Sequence, residues 1–412
     1  MSSLRVAHVL RKYDPAEWGG TETHVVAVTR GLVARGVGAE VHAPRGPTAP
    51  DRALAPGVEL RRYRAFLPFV GDAAQRRGLI ANAGNIASID EPLRLFRDRR
   101  ISLAHTHTLG RIGGAVRTAM RLSGRPYVVS IHGLLLAEQK LVADATEKRH
   151  RGLVDLGSPL GALLGARRVI DDAARVITFN EDERRALAAR VGDRAVRMDH
   201  GVDVARLAQG DAARARQRFP MLGDAPAVTL VGRICHQKNQ VLAVRAFARG
   251  APPDHHLCLA GAETDTGYRA EVEEEARALG VERRVHLLGN LDPNREIPDL
   301  FARSTLVIVP STHESFGLAV LEGWAADKAV LFPRHTGLAD IAAALDDDAA
   351  VLPSLDEAAW IEAIRHFLTD AGARRAAADA GQALIRRRFG WDVVVDKLIA
   401  LYEDVLAEPR RR

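Results

Sequence analysis

Short runs of Val, Ile, Leu and Ala alternate along the chain with longer segments in which apolar residues recur every three or four positions. The short runs are apolar throughout and of strand length, the mark of parallel strands buried on both faces, and the longer ones read as helices that cover them. Seven strands are predicted at 4–10, 38–43, 58–63, 103–107, 127–131, 176–179 and 195–198, with helices between most of them, such as 22–35, stopped by Gly36. After a polar, arginine-rich stretch at 202–223, six more follow at 227–231, 256–260, 285–288, 306–309, 329–332 and 350–352. Helices at 355–368, 371–388 and 391–406 close the chain with no strand between them, and Pro409 stops the last.

Composition turns this alternation into two folded bodies. The 412 residues are 47% hydrophobic, enough for more than one core. Two doubly wound α/β sheets of about six strands fit better than one of twelve, too wide for an open twisted sheet. A net charge of +6, with arginine spread from Arg5 to Arg412, permits an anionic partner without demanding one, and no nucleic acid is expected. Cys235 and Cys258 make neither a disulfide framework nor a C-x-x-C knuckle. The amino-terminal apolar run is shorter than a signal-peptide core and no stretch nears 18 apolar residues, so a cytoplasmic protein is expected.

Ligands of doubly wound sheets gather outside the carboxyl ends of the strands, which makes the loops there, and the cleft between two such sheets, the default site. Pro310-Ser311-Thr312-His313-Glu314-Ser315-Phe316-Gly317-Leu318 follows one strand and leads into a helix bearing Glu322. The amides of 316–318 at that helix start suit an anion. A capping Glu314 and a surface Glu322 are the plain alternative, but Gly323, Trp324, Ala325 and Ala326 make this helix otherwise apolar. After 227–231, the loop from Gly232 to Asn239 offers Arg233 as a fork and Lys238 as a point charge, together suited to a diphosphate. After the first strand, Trp18-Gly19-Gly20-Thr21-Glu22 allows close backbone approach to a ligand; it is no G-x-G-x-x-G fingerprint, and no P-loop occurs. His132-Gly133 ends another strand, where the histidine can reach the cleft. His105 and His107 share a strand face, but no sequence spacing supplies a third ligand, so no metal site is expected there. Asp346, Asp347 and Asp348 read as a solvated helix end.

Taken in this order, Gly19-Gly20-x-Glu22, His132-Gly133, Gly201-Val202-Asp203, the Gly232-Arg233 to Lys238 loop, Glu314-x7-Glu322 and Phe389-Gly390-Trp391 resemble glycosyltransferase family 4 over nearly the whole chain. The resemblance implies a retaining enzyme of the GT-B fold: an acceptor-binding Rossmann-like domain at 1–202, a nucleotide-sugar-binding one at 203–388, and a helix and basic tail at 389–412 crossing back to the first. It implies that Arg233 and Lys238 bind the donor diphosphate, Glu322 the ribose and Glu314 the sugar. Amides of Ser315, Phe316, Gly317 and Leu318 would hold sugar hydroxyls and phosphate, Gly20 would lie close to the diphosphate, and His132 near the transferred sugar. Glu314, His132, Arg233 and Lys238 are then the catalytic set, the nucleotide sugar, UDP-linked for preference, is a substrate, and no cofactor or metal is needed. The chain departs from the family pattern at Gly323, Trp324, Asp327 and Lys328, and at Thr336-Gly337-Leu338-Ala339-Asp340, which touches the base pocket and the outer sugar contacts.

For the acceptor, Asp14, Glu17, Trp18, Glu22 and His107 suit a polyhydroxylated ring such as an aminocyclitol or a glycan. The basic and aromatic residues of 61–77, among them Arg61, Arg62, Arg64, Phe66, Arg76 and Arg77, would let the enzyme touch an anionic membrane carrying a lipid-linked acceptor. The competing readings are a nucleotide-sugar epimerase, which lacks reason for the Glu314-x7-Glu322 pairing, and a basic lipid- or nucleic-acid-binding protein resting on 61–77 alone.

Overall fold

Continuous apolar runs become strands buried on both faces, and here they assemble into two parallel sheets. The computed structural model describes residues 4–13, 19–45, 54–67, 69–70, 86–133, 154–155 and 158–409. Contacts divide the chain into two units, Met1–Met198 with Val394–Arg412, and Asp199–Val393.

The first unit contains β1 (Arg5–Val9), β2 (Gly38–Pro44), β3 (Glu59–Tyr63), β4 (Phe69–Val70), β5 (Leu103–Thr106), β6 (Tyr127–Ser130), β7 (Val154–Asp155), β8 (Arg175–Thr178) and β9 (Ala195–Arg197). Seven form one parallel sheet in the order β3-β2-β1-β5-β6-β8-β9. β4 and β7 pair antiparallel by themselves, a two-residue ladder that the hydrophobic pattern does not announce. Helix Gly110–Leu122 buries Ile112, Val116, Ala119 and Met120 in a core shared with Val129, Val176 and Leu187. Successive connections run one way from β1 to β3 and the other way from β5 onward, so the winding reverses between β1 and β5.

The second unit repeats the plan with β10 (Ala227–Val231), β11 (His256–Ala260), β12 (Val285–Gly289), β13 (Ser304–Ile308), β14 (Val330–Pro333) and β15 (Val351–Leu352), in the order β12-β11-β10-β13-β14-β15. Its reversal falls between β10 and β13. The expected helix 371–388 is Ala371–Leu384 running into a wider turn at Ile385–Phe389. The entry and exit of this unit are tied together. Arg388 grips Asp199 through two contacts of 2.8 Å, Val202 donates its amide to Phe389, and a side chain at Gly201 would strike the Trp391 ring at 2.3 Å. His200, where the family commonly has asparagine, lies buried between the rings of Trp391 and Phe316.

Helix Trp391–Ala407 continues past Val394 into the first unit, where Val395 packs against Gly31, Tyr402 meets His105, and Glu408 beyond the helix pairs with Arg175. Among the described residues no helix is long and apolar enough to cross a membrane.

Candidate functional site

Both reversals of winding carry polar side chains, as the topology of doubly wound sheets leads one to expect. In the second unit the loops after β10 and β13 supply them. Lys238 Nζ lies 2.5 Å from Glu314 Oε1, and Ser311 donates its hydroxyl to the same oxygen at 2.7 Å. Gln237 braces both loops: its side-chain amide donates to His313 O at 2.9 Å, its own carbonyl accepts from Thr312 N at 2.8 Å, and Arg233 Nη2 donates to its Oε1 at 2.7 Å. Arg233 stays exposed at the loop mouth, while Glu314 is only 7% exposed. An exposed guanidinium beside a largely buried ammonium–carboxylate pair can receive a doubly charged anion that competes for Lys238.

Glycines let these loops close on one another. Gly317 starts helix Leu318–Ala325 at φ +92, and a methyl there would come within 2.4 Å of Leu338. Gly337 packs against the Glu314 and Ser315 carbonyls so closely that a methyl would lie 2.5 Å and 2.6 Å from them. The segment that departs from the family pattern therefore still presses a glycine onto the Glu314 loop. Gly261, after β11, lies against the Gly232 carbonyl, where an added methyl would fall at 2.0 Å.

Glu322 is held by a residue that sequence reasoning missed. Arg206 Nη2 sits 2.6 Å from Glu322 Oε1, and the Arg206 amide is capped by Asp203 at 3.0 Å. The Gly201-Val202-Asp203 motif was the available signal, since an N-cap aspartate sets the direction of the turn that carries Arg206. Trp324, a departure from the family pattern, is fully buried in a space that Gly381 leaves open; a methyl on Gly381 would meet the indole at 2.2 Å.

In the first unit the reversal between β1 and β5 gathers histidines. His8 Nδ1 is 3.0 Å from His107 Nε2, and His107 Nδ1 is 2.8 Å from His132 Nε2. His105 is hydrogen-bonded to Tyr402 Oη at 2.6 Å and Ser130 Oγ at 2.7 Å. Burial pushes the His8 pKa down to about 3 and those of His105 and His107 well below the usual range, so these three are neutral imidazoles. His8 is thus the third histidine beside His105 and His107 that no sequence spacing supplied; it comes from the neighbouring strand, where His8 and His105 are register partners. The His105 and His107 rings stack at 4.2 Å, and every ring nitrogen of both is hydrogen-bonded. One ring nitrogen from each of His8, His105 and His107 lies within 4.8 Å of the others, so the fold supplies the three-histidine group that the sequence spacing did not, and could hold a metal ion there; among the described residues the nitrogens of His105 and His107 are engaged in hydrogen bonds.

The expected acceptor residues fare differently. Glu22 accepts the Gly19 amide at 3.0 Å, closing the first turn of helix Gly20–Ala34, so its carboxylate serves as a cap. The Gly19-to-Glu22 spacing held that signal. His107 lies behind His132, 8% exposed, with both nitrogens engaged, and not at a surface open to an acceptor. Asp14, Glu17 and Trp18 lie outside the described residues. Of the basic 61–77 segment, Arg61 pairs with Glu59 and Glu40, and Arg62 donates to the Tyr13 and Pro44 carbonyls and covers the Tyr13 ring. Arg64 and Phe66 are exposed, and Arg76 and Arg77 lie outside the described residues.

Known proteins share both halves of the chain. Residues 19–200 match the glycosyl transferase 4-like domain, and residues 211–384 match glycosyl transferases group 1. The D-inositol 3-phosphate glycosyltransferase of Acidothermus cellulolyticus is 30% identical over 410 residues, covering 95% of this chain and 87% of that protein. The protein of the same name from Geodermatophilus obscurus is 29% identical over 402 residues, 93% and 84% of the two chains. Among solved structures, Anabaena Alr3699/HepE in complex with UDP and glucose superposes with a TM-score of 0.70 at 18% identity, covering 97% of this chain and 100% of that one. Sucrose-phosphate synthase from Thermosynechococcus elongatus superposes at 0.72 with 20% identity, covering 98% and 99%.

Proposed function

The chain belongs to the group 1 glycosyltransferases, of family 4 type and GT-B fold, and from that premise we propose that it moves a hexosyl group from a nucleoside-diphosphate sugar to a hydroxyl of a small polyol, with retention at the anomeric carbon. The bond from the anomeric carbon to the diphosphate breaks, one to the acceptor oxygen forms, and the acceptor proton leaves with the nucleoside diphosphate. UDP is the proposed leaving nucleotide.

The observation that carries this reading is the meeting of Arg233, Lys238 and Glu314 at the reversal of the second sheet. A departing diphosphate gains negative charge, and two cations at one loop mouth lower the barrier without a metal ion. Lys238 turns from Glu314 towards the diphosphate, Glu314 then accepts from hydroxyls of the sugar, and Glu322 accepts from the ribose. His132 lies beside the transferred sugar. A polyol acceptor agrees with the names of the relatives, which act on D-inositol 3-phosphate, and with the carboxylates and aromatic ring of Asp14, Glu17 and Trp18.

The test is a matrix of UDP-, GDP- and ADP-hexoses against inositol, inositol phosphates and amino sugars, with product mass and anomeric configuration read by mass spectrometry and NMR. A retained glycoside formed in the presence of EDTA is expected. An inverted product overturns retention, and activity lost in EDTA and restored by magnesium overturns the metal-free clause.

A further inference from the structure

The histidine chain of the first unit has a direction that follows from one buried atom. His8 Nε2 is buried and has no hydrogen-bond partner among the described residues. The ring centroids of His8 and His107 are 5.3 Å apart with planes at 16°, and those of His107 and His132 are 5.1 Å apart at 32°. Rings that meet edge to edge through N–H···N bonds have this spacing, so each of the two contacts requires one hydrogen. A neutral imidazole carries a hydrogen on one nitrogen and a lone pair on the other. The hydrogen bond at one nitrogen therefore settles the state of the other, and the choice passes from ring to ring.

Two arrangements satisfy both contacts. In one, His8 Nδ1 donates to His107 Nε2 and His107 Nδ1 donates to His132 Nε2. In the other, His132 Nε2 donates to His107 Nδ1, His107 Nε2 donates to His8 Nδ1, and the hydrogen of His8 is forced onto Nε2. The second strands an N–H at a buried atom with no acceptor, and orphaned buried N–H groups are rarer in folded proteins than underused acceptors. Burial keeps His8 and His107 neutral; a cationic His132 would have to donate from Nε2 and so would force the second, disfavoured arrangement. His105 stands outside the chain, its nitrogens taken by Tyr402 and Ser130.

We propose that His8, acting through His107, is a positioning residue that locks neutral His132 as the tautomer with its hydrogen on Nδ1. His132 then carries an N–H and not a lone pair at that nitrogen. In the reaction proposed above this fixes which nitrogen of the His132 ring carries the hydrogen beside the transferred sugar, and in that respect it rests on the proposed function. Holding an imidazole in one tautomer is a role whose loss reduces turnover even when geometry is kept.

The experiment is long-range proton–nitrogen NMR on the full chain labelled at histidine, with His132 and His107 assigned from the variants His132→Ala and His107→Asn. Hydrogens on Nδ1 of both rings are expected in the unmutated protein, and Nε2-H at His132 overturns the proposal without any variant having to fold. In His8→Phe the lock is lost, so His132 shows mixed tautomers and kcat falls about tenfold with donor KM unchanged. His8→Asn, whose amide can donate to the same His107 nitrogen, returns both readouts towards the starting values. An unchanged His132 tautomer in His8→Phe overturns the coupling. If the tautomers behave as expected but His132→Ala keeps full activity, the proposed place of His132 beside the sugar fails while the lock stands.

Discussion

Lys238 and Glu314, 76 positions apart, share a contact of 2.5 Å in which Ser311 joins the same carboxylate oxygen. The pair preassembles the two sides of the proposed donor site. Each side chain neutralises the other, and in the proposed reaction a diphosphate competes for the ammonium.

That relationship predicts a coupled response. Lys238→Met leaves a largely buried carboxylate short of its cation, and Glu314→Gln does the converse, so each single change lowers the melting temperature more than the double change leads one to expect by addition. Turnover in Lys238→Met should fall about 10²- to 10³-fold, the usual result of removing one stabilising group from a developing anion. Strictly additive melting shifts with turnover preserved in Lys238→Met would reduce the pair to a surface contact.

Glu322 and Arg206 give a binding effect in place of a turnover effect. A carboxylate that hydrogen-bonds a ribose acts equally in ground and transition states, so Glu322→Gln should raise donor KM about 10- to 100-fold with kcat nearly constant. Arg206→Met should raise donor KM less, because the carboxylate stays but loses its alignment. Steady-state kinetics at saturating acceptor decides; unchanged donor KM in both variants takes this helix out of the donor site.

Gly317 and Gly337 fix the Glu314 loop by close approach. Gly317→Ala adds both a left-handed backbone penalty of about 1–2 kcal/mol and a clash with Leu338, and Gly337→Ala pushes on the Glu314 carbonyl. Both should lower kcat/KM for the donor by more than about tenfold while the circular dichroism spectrum is retained. Donor kinetics like those of the unmutated protein would show that the loop can shift without cost.

The first unit carries a buried ionic cluster with a pH signature. His42 Nδ1 lies 2.7 Å from Glu91 Oε1 and its Nε2 3.2 Å from Glu40 Oε2, and both carboxylates are buried. Burial alone would lower the His42 pKa, but the Glu91 charge and the hydrogen bonds to Glu40 and Glu91 outweigh it and raise it to about 9. The folded value lies above the ordinary 6.5, so the stabilisation is complete below pH 6.5 and is lost as pH rises through about 9. Glu40 is the opposite case. Burial raises its pKa, but His42 and Arg5 hold it down to about 2, so its stabilisation is present above pH 4.5 and is lost as pH falls through about 2. Denaturant unfolding between pH 6 and 10 should therefore show a decline on the alkaline side that His42→Gln flattens; an equal decline in the variant would assign it elsewhere.

Much of the fold lies open in the chain because its signals are local. A parallel strand buried on both faces must be apolar over its whole length, which is why β1, β5, β10 and β13 stand out as runs, with ends that shift by only a residue or two. The loops after β10 and β13 are legible for a related reason: Arg233, Lys238 and Glu314 are polar residues placed where an apolar run has just ended. The antiparallel pair β4 and β7 gave no such signal, since two residues are too few to show a period.

Which partner each charged or titratable group takes was decided elsewhere. Glu22 spends its carboxylate on a helix cap three residues away, a bond that the spacing contains but that competes with every ligand one could imagine for it. Arg206 reaches Glu322 across 116 positions, and Gly381 admits Trp324 across 57. His8 joins His107 across 99 positions because β1 and β5 lie side by side where the winding reverses. Periodicity along one strand says which face a histidine occupies; only the order of strands says whose ring stands next to it, because that order is set by packing the whole sheet and not by any segment within it.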